Sequence, residues 1–198
     1  MLVNKVAPDF SGVAVIGADY FKDICLSDFK GKYVVLSFLP LAFTFVCPTE
    51  IKAADALRGQ FEAANCELII CSVDSQFTLN QWRNLPEEQG GLNGIRTTLL
   101  SDLTHKIAED YGVLTEAGYA LRGSFLIDYQ GDEPIVKAVW CHADDVGRNF
   151  TEILRVVKNF DFVKHNDVVC PAGFDVDDGI ENTIVPDVKD AKKYFESH

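Results

Sequence analysis

Between Lys32 and Pro48 the chain runs from a strand through a stop to a helix start, and one cysteine sits at the last of these. The run Lys32-Tyr-Val-Val-Leu-Ser-Phe-Leu39 is β-branched and aromatic enough for a buried strand. Pro40 stops it, and Pro48 suits the first turn of a helix, where its missing N–H costs nothing. Cys47 therefore faces unpaired backbone N–H groups and the positive end of a helix dipole, both of which favour thiolate over thiol. An exposed helix terminus supplies only about 0.3–1 kcal/mol, so a strongly activated thiol here needs a second positive group.

The 198 residues, with 47% apolar side chains and 14 Phe, suffice for one sizeable core and require no second one. A net charge of −12 argues against nucleic acid or an anionic membrane surface as partner. The start, Met1-Leu-Val-Asn-Lys-Val-Ala-Pro, has no apolar run of signal-peptide length, and no segment approaches a membrane span. A cytoplasmic protein is expected. Its six cysteines then read as free thiols rather than a disulfide framework. Cys25, Cys66, Cys71 and Cys141 are assigned structural positions, and without a C-x-x-C pair neither a zinc ribbon nor a dithiol reductase site is expected.

Coarse patterning gives an N-terminal β-hairpin around Gly12 and Gly17-Ala-Asp19, and a helix from Pro48 to Ala64 with Ile51, Ala54, Leu57 and Phe61 on one stripe. A strand over 67–73, a short helix over Thr78–Arg83, a glycine loop at 90–94 and a strand over Thr97–Leu100 follow. Next come a helix over Thr104–Tyr111 stopped by Gly112 and two strands, Ser124–Tyr129 and Ile135–Cys141. Asp144 or Asp145 is expected to cap a longer helix whose Val146, Phe150, Ile153, Leu154 and Val157 share a face. Alternating strands and helices closed by an antiparallel pair imply an α/β fold with a mixed central sheet flanked by helices. The tail from His165 is polar and turn-rich until Pro186, after which Asp187 in the first turn and Lys192-Lys193 in the last suit a short helix. Such a tail falls outside the sheet and is expected to pack on a partner subunit or fold over the reactive thiol.

The pattern Pro40-x-x-x-Thr44-x-x-Cys47 with Pro48-Thr49-Glu50 resembles the active site of typical two-cysteine peroxiredoxins. Ser72-Val-Asp-Ser-Gln-Phe-Thr78, Arg122-Gly123 entering a strand, Val169-Cys170-Pro-Ala-Gly173 and Tyr194-Phe195 follow in that family's order. The resemblance spans the chain from Lys5 onward. It implies a thioredoxin-like fold, with residues 1–160 as the peroxidase domain and 161–198 as a C-terminal arm of the same structural domain. It further implies a thiol peroxidase that reduces hydrogen peroxide and organic hydroperoxides without metal or organic cofactor. Cys47 would be oxidised to sulfenic acid, Thr44 would contact the peroxide, Arg122 would be the missing cation, and Pro40 would shield the oxidised sulfur. Glu50 and Arg148 resemble the residues that hold that arginine in place.

A sulfenic acid condenses readily with a second thiol. By resemblance that thiol is Cys170. The residues alone leave open a bridge within one chain or between two; the resemblance implies the other subunit of an antiparallel homodimer, assembling to a decamer. Thioredoxin or an equivalent dithiol protein would be the reductant. A holdase chaperone or redox-signalling scaffold, with Cys47 only as a switch, is the alternative from a different class.

Three positions depart from the family's pattern. Leu39 and Ala42 stand where Tyr and Asp are common, in a turn that, with Phe77-Thr78-Leu79, resembles the ring-building surface. Asn93 replaces the last glycine of a Gly-Gly-Leu-Gly signature, while Tyr194-Phe195 is kept. Asn tolerates the left-handed conformation better than most residues, so the loop is expected to form. Whether Cys47 is sensitive to over-oxidation is an open hypothesis.

Overall fold

A computed structural model describes residues 1–17 and 20–197; the Ala18-Asp19 part of the expected hairpin turn lies outside the described residues. The chain divides into two compact units, Met1–Phe150 and Thr151–His198.

The first unit is built on a seven-stranded mixed sheet. Its strands are β1 (Ser11–Val15), β2 (Phe21–Cys25), β3 (Tyr33–Phe38), β4 (Cys66–Ser72), β5 (Thr98–Ser101), β6 (Arg122–Gln130) and β7 (Glu133–His142), in the order β2-β1-β5-β4-β3-β6-β7. Strands β3, β4 and β5 run parallel, with β4 between the other two, and β6 and β7 extend the β3 side antiparallel. Every residue of β3 is buried, as its unbroken apolar run requires of a strand covered on both faces. Ser37 within it is satisfied by a 2.8 Å hydrogen bond to Ser124 of β6. The core gathers Val34, Leu36 and Phe38 of β3 with Ile69, Leu100, Phe125, Ile127 and Tyr111. Phe38, Tyr111 and Phe125 pack mutually with ring centroids 4.9–5.9 Å apart.

The helices of this unit are α1 (Cys47–Ala56), α2 (Arg58–Ala63), α3 (Gln76–Asn84) and α4 (Lys106–Asp110). The single helix expected over 48–64 is thus two, divided at Leu57, whose ψ of −3° departs from helical geometry. Ile51, Ala54 and Phe61 are buried all the same. Ser75 caps α3 by accepting from Thr78 N, which starts the helix two residues earlier than periodicity suggested. Asn93, in the glycine loop after α3, adopts φ = 52°, the left-handed conformation expected of it.

The expected cap at Asp144 or Asp145 is corrected. Helix α5 begins only at Phe150 and runs to His165, while Val146 is exposed rather than on its buried stripe. Residues 143–149 instead form an irregular loop that packs against the first turn of α1. Gly147 permits this: a Cβ there would lie 3.2 Å from Val46 Cγ1 and 3.4 Å from Glu50 Cγ.

In the second unit, Val169 and Ile184 exchange backbone hydrogen bonds of 2.8 and 3.0 Å, forming a two-residue bridge immediately before Cys170. Arg155 and Asn159 of α5 both donate to the carbonyl of Phe174, and so tie down the turn after Cys170. Helix α6 spans Val188–Ser197. Asp187 precedes it as a cap, accepting from Lys189 N and Asp190 N, rather than sitting in its first turn. The sheet contains no strand beyond His142 among the described residues, as the polar tail implied.

Candidate active site

Strand β3 ends at Phe38, and the chain crosses a tight loop to Cys47, the first residue of α1. Thr44 Oγ1 donates to the Leu41 carbonyl at 2.9 Å, Phe43 takes φ = 59°, and Ala42 N donates to the Asp74 carboxylate at 2.7 Å. Asp74 is held in turn by Ser72 Oγ at 2.6 Å, so the end of β4 steadies the loop after β3. Cys47 is 0% exposed.

The cation that the helix terminus called for is Arg122, at the start of β6. Its Nη1 lies 3.3 Å from Cys47 Sγ and 2.7 Å from Glu50 Oε2. Its Nε and Nη2 both donate to the Asp144 carbonyl, at 3.0 and 2.8 Å, so the fork is occupied along its length. Desolvation works against the guanidinium charge, but the sulfur and the Glu50 carboxylate outweigh it and hold its pKa up.

Glu50, one turn into α1, is buried between two arginines. Its Oε1 accepts from Arg148 N at 2.7 Å and Nε at 2.9 Å, and its Oε2 from Arg148 Nη2 at 3.2 Å. Arg148 also donates to the Gly123 carbonyl at 2.7 Å and to Ser124 Oγ at 2.9 Å, and lies over the Phe150 ring. Burial alone would raise the Glu50 pKa; the hydrogen bonds and charge of Arg148, with the charge of Arg122, outweigh it and hold the carboxyl below its ordinary range. Two cations and one anion thus make a buried cluster of net charge +1 facing the sulfur.

Beside this cluster lies a hollow of about 340 Å³, lined by Pro40, Leu41, Thr44, Phe45, Val46, Tyr119, Arg122, Asp144 and Asp145. Pro40, Thr44 and Arg122, expected at the site, meet here. Thr44 offers its hydroxyl to the hollow's wall, with Leu41 as its hydrogen-bond partner. Tyr119, whose hydroxyl donates to Asp144 Oδ2 at 2.8 Å, was not anticipated. Nothing in its local sequence marks it, because the contact spans 25 positions.

Of the remaining thiols, Cys66 and Cys71 are buried, and desolvation pushes both pKa values up. They are packing residues, as expected. Cys141 is exposed and Cys25 half-buried. Cys170, in the second unit, is half-buried; burial raises its pKa and the charge of Arg155 opposes this.

The thioredoxin-like mixed sheet and a lone thiol at a helix start define a class: α/β proteins that set one buried cysteine against a buried guanidinium at the end of a central strand. Sequence narrows it. The model of the AhpC/TSA family matches residues 3–132. Peroxiredoxin-2 of Bos taurus is 46% identical over 197 residues, covering 99% of this chain and 96% of its own. The mitochondrial thioredoxin-dependent peroxide reductase of Rattus norvegicus is 48% identical over 195 residues, covering 98% and 73%. The reduced 2-Cys peroxiredoxin of Plasmodium vivax superposes with a TM-score of 0.92 at 38% identity, over 99% of each chain. The chain belongs to the peroxiredoxin family. No helix among the described residues is long and apolar enough to cross a membrane.

Proposed function

We propose that this chain reduces hydrogen peroxide and small organic hydroperoxides through Cys47. The observation that carries the reading is the 3.3 Å contact between Arg122 Nη1 and Cys47 Sγ. The thiolate attacks one peroxide oxygen, the O–O bond breaks, and sulfur is oxidised to sulfenic acid while the other oxygen leaves as hydroxide or alkoxide and takes a proton. Arg122 stabilises both the thiolate and the charge building on the oxygens. Thr44, donating to Leu41, keeps lone pairs for the peroxide O–H, and Pro40 limits water at the oxidised sulfur. Glu50 and Arg148 act through Arg122 by fixing its direction.

The Cys170 thiol then condenses with the sulfenic acid, releasing water and leaving a disulfide. We assign it to the partner subunit of a homodimer. A thioredoxin-like dithiol returns both cysteines to thiols and takes up the disulfide. We propose the cytoplasm as its compartment, where six cysteines in a chain of 198 residues stay reduced between turnovers. The exposed Phe45 and Phe77, the latter packed edge to face on Phe21, support assembly of dimers into a decamer.

The test is one equivalent of hydrogen peroxide added to the fully reduced protein, followed by a non-reducing gel and peptide mass mapping. A dimer-sized band carrying a Cys47–Cys170 linkage is expected. An unmodified Cys47 would reject the peroxidase reading, and an oxidised monomer would remove Cys170 from the cycle. Retention of holdase activity in Cys47→Ser, without peroxide turnover in the wild type, would favour the chaperone alternative.

A further inference from the structure

We propose that Tyr119 is a positioning residue for the reactive thiol, acting through Asp144 on Arg122. Where the reaction itself is concerned this rests on the peroxidase reading. Arg122 makes four contacts from three nitrogens, and two of them end on the Asp144 carbonyl, at 3.0 and 2.8 Å. That carbonyl belongs to the irregular loop of residues 143–149, which has no ladder of its own to hold a peptide plane still. A peptide that tilts would release Nε and Nη2 together and let Nη1 drift from the sulfur.

Asp144 is fixed instead through its side chain. Oδ2 accepts the Tyr119 hydroxyl at 2.8 Å, whereas Oδ1 is buried without a hydrogen-bond partner. The phenol is therefore the one donor that anchors this carboxylate among the described residues. Tyr119 is itself held firmly. Its carbonyl accepts from Thr115 N at 2.8 Å and Thr115 Oγ1 at 2.7 Å, in a turn closed by the Leu114–Ala120 bridge. A rigid turn three residues before Arg122 thus sends out a phenol, which holds a carboxylate, whose own peptide holds the guanidinium. All three residues line the hollow beside Cys47 together with Pro40 and Thr44, so the relay borders the place where a peroxide would sit.

Tyr119→Phe deletes only the hydroxyl, and two measurements read the result. The first is alkylation of Cys47 by iodoacetamide across pH 5–9, in a background with the other five cysteines replaced by serine or alanine; it needs no peroxidase activity. The second is the second-order rate of oxidation by hydrogen peroxide. Loss of one hydrogen bond to a charged group predicts a rate with peroxide about tenfold lower, and alkylation at pH 6 at least threefold slower with its half-maximum moved to higher pH. Asp144→Asn keeps an acceptor for the phenol and retains most of the wild-type rate, whereas Asp144→Ala matches Tyr119→Phe. Combined, Tyr119→Phe and Asp144→Ala lose no more than either alone, because both break the same link. A melting temperature unchanged in Tyr119→Phe separates positioning from general destabilisation.

Wild-type alkylation and peroxide rates in Tyr119→Phe, or losses that multiply in the double variant, would overturn the proposal. If hydrogen peroxide fails to oxidise wild-type Cys47, the peroxidase reading falls, and the alkylation profile still decides the role of Tyr119.

Discussion

Glu50 holds Arg122 through a single 2.7 Å ion pair, and the nitrogen it grips is the one that reaches the Cys47 sulfur. The carboxylate therefore aims the cation while opposing part of its charge. The same carboxylate also binds Arg148 through backbone and side chain, so one anion joins the two arginines.

Arg122→Lys keeps a positive charge but cannot serve sulfur, Glu50 and the Asp144 carbonyl from one planar fork. Stopped-flow oxidation of the reduced protein by hydrogen peroxide should slow by about 10²–10³-fold, the scale seen when one preorganised donor is lost from a site that stabilises developing charge. A loss under threefold would remove Arg122 from the role assigned to it.

Glu50→Gln leaves two buried guanidinium groups facing a neutral amide. Breaking a buried ion cluster this way costs about 3–5 kcal/mol, to be read as a lower urea midpoint. The pH dependence follows from the depressed Glu50 pKa. Its contribution to stability is fully present above the ordinary carboxylate value of 4.5 and is lost as pH falls through the lower folded value. Urea midpoints measured from pH 6 down to pH 3 should fall less steeply in Glu50→Gln than in the wild type.

Cys170 presents the opposite case, since burial favours its thiol over its thiolate. In the cycle we propose, condensation with the sulfenic acid needs the Cys170 thiolate, so disulfide formation after a pulse of peroxide should accelerate from pH 6.5 to pH 9. In Cys170→Ser the same pulse should leave Cys47 as sulfenic acid, trapped by dimedone, with no dimer-sized band.

The loop after α3 depends on two backbone positions. A Cβ on Gly91 would fall 2.0 Å from the Leu85 carbonyl oxygen, so Gly91→Ala must displace the loop. Asn93 holds φ = 52°, where Asn93→Val should destabilise by about 1–2 kcal/mol and Asn93→Gly should be neutral or slightly stabilising. Thermal unfolding of the three variants separates these outcomes.

The strand, stop and helix start around Cys47 were legible because local chemistry dictates them: a buried β-branched run, then a proline, then a proline in a first turn. Asn93 was legible for the same reason. The Arg122–Glu50–Arg148 cluster was reached only by resemblance, since its members lie 72 and 98 positions apart and no periodicity joins them. The cap expected at Asp144 or Asp145 does not form. An acidic residue ahead of an apolar stripe has the local signature of a helix cap, yet the Asp144 carbonyl is needed by Arg122 and its carboxylate by Tyr119. Those tertiary demands, with Gly147 lying against Glu50, delay the helix to Phe150.

The loop leading to Cys47 ends in contact with a chromophore. Phe43, at its left-handed position, lies 5.8 Å from the fully buried Trp82, whose indole N–H donates to the Gly90 carbonyl. Any unwinding of that loop strips an aromatic neighbour from Trp82 and lets water near its ring. With Trp140 replaced by Phe, the emission of Trp82 becomes an internal optical gauge of whether the segment around Cys47 is wound or open, readable on the timescale of a single turnover and without an added label.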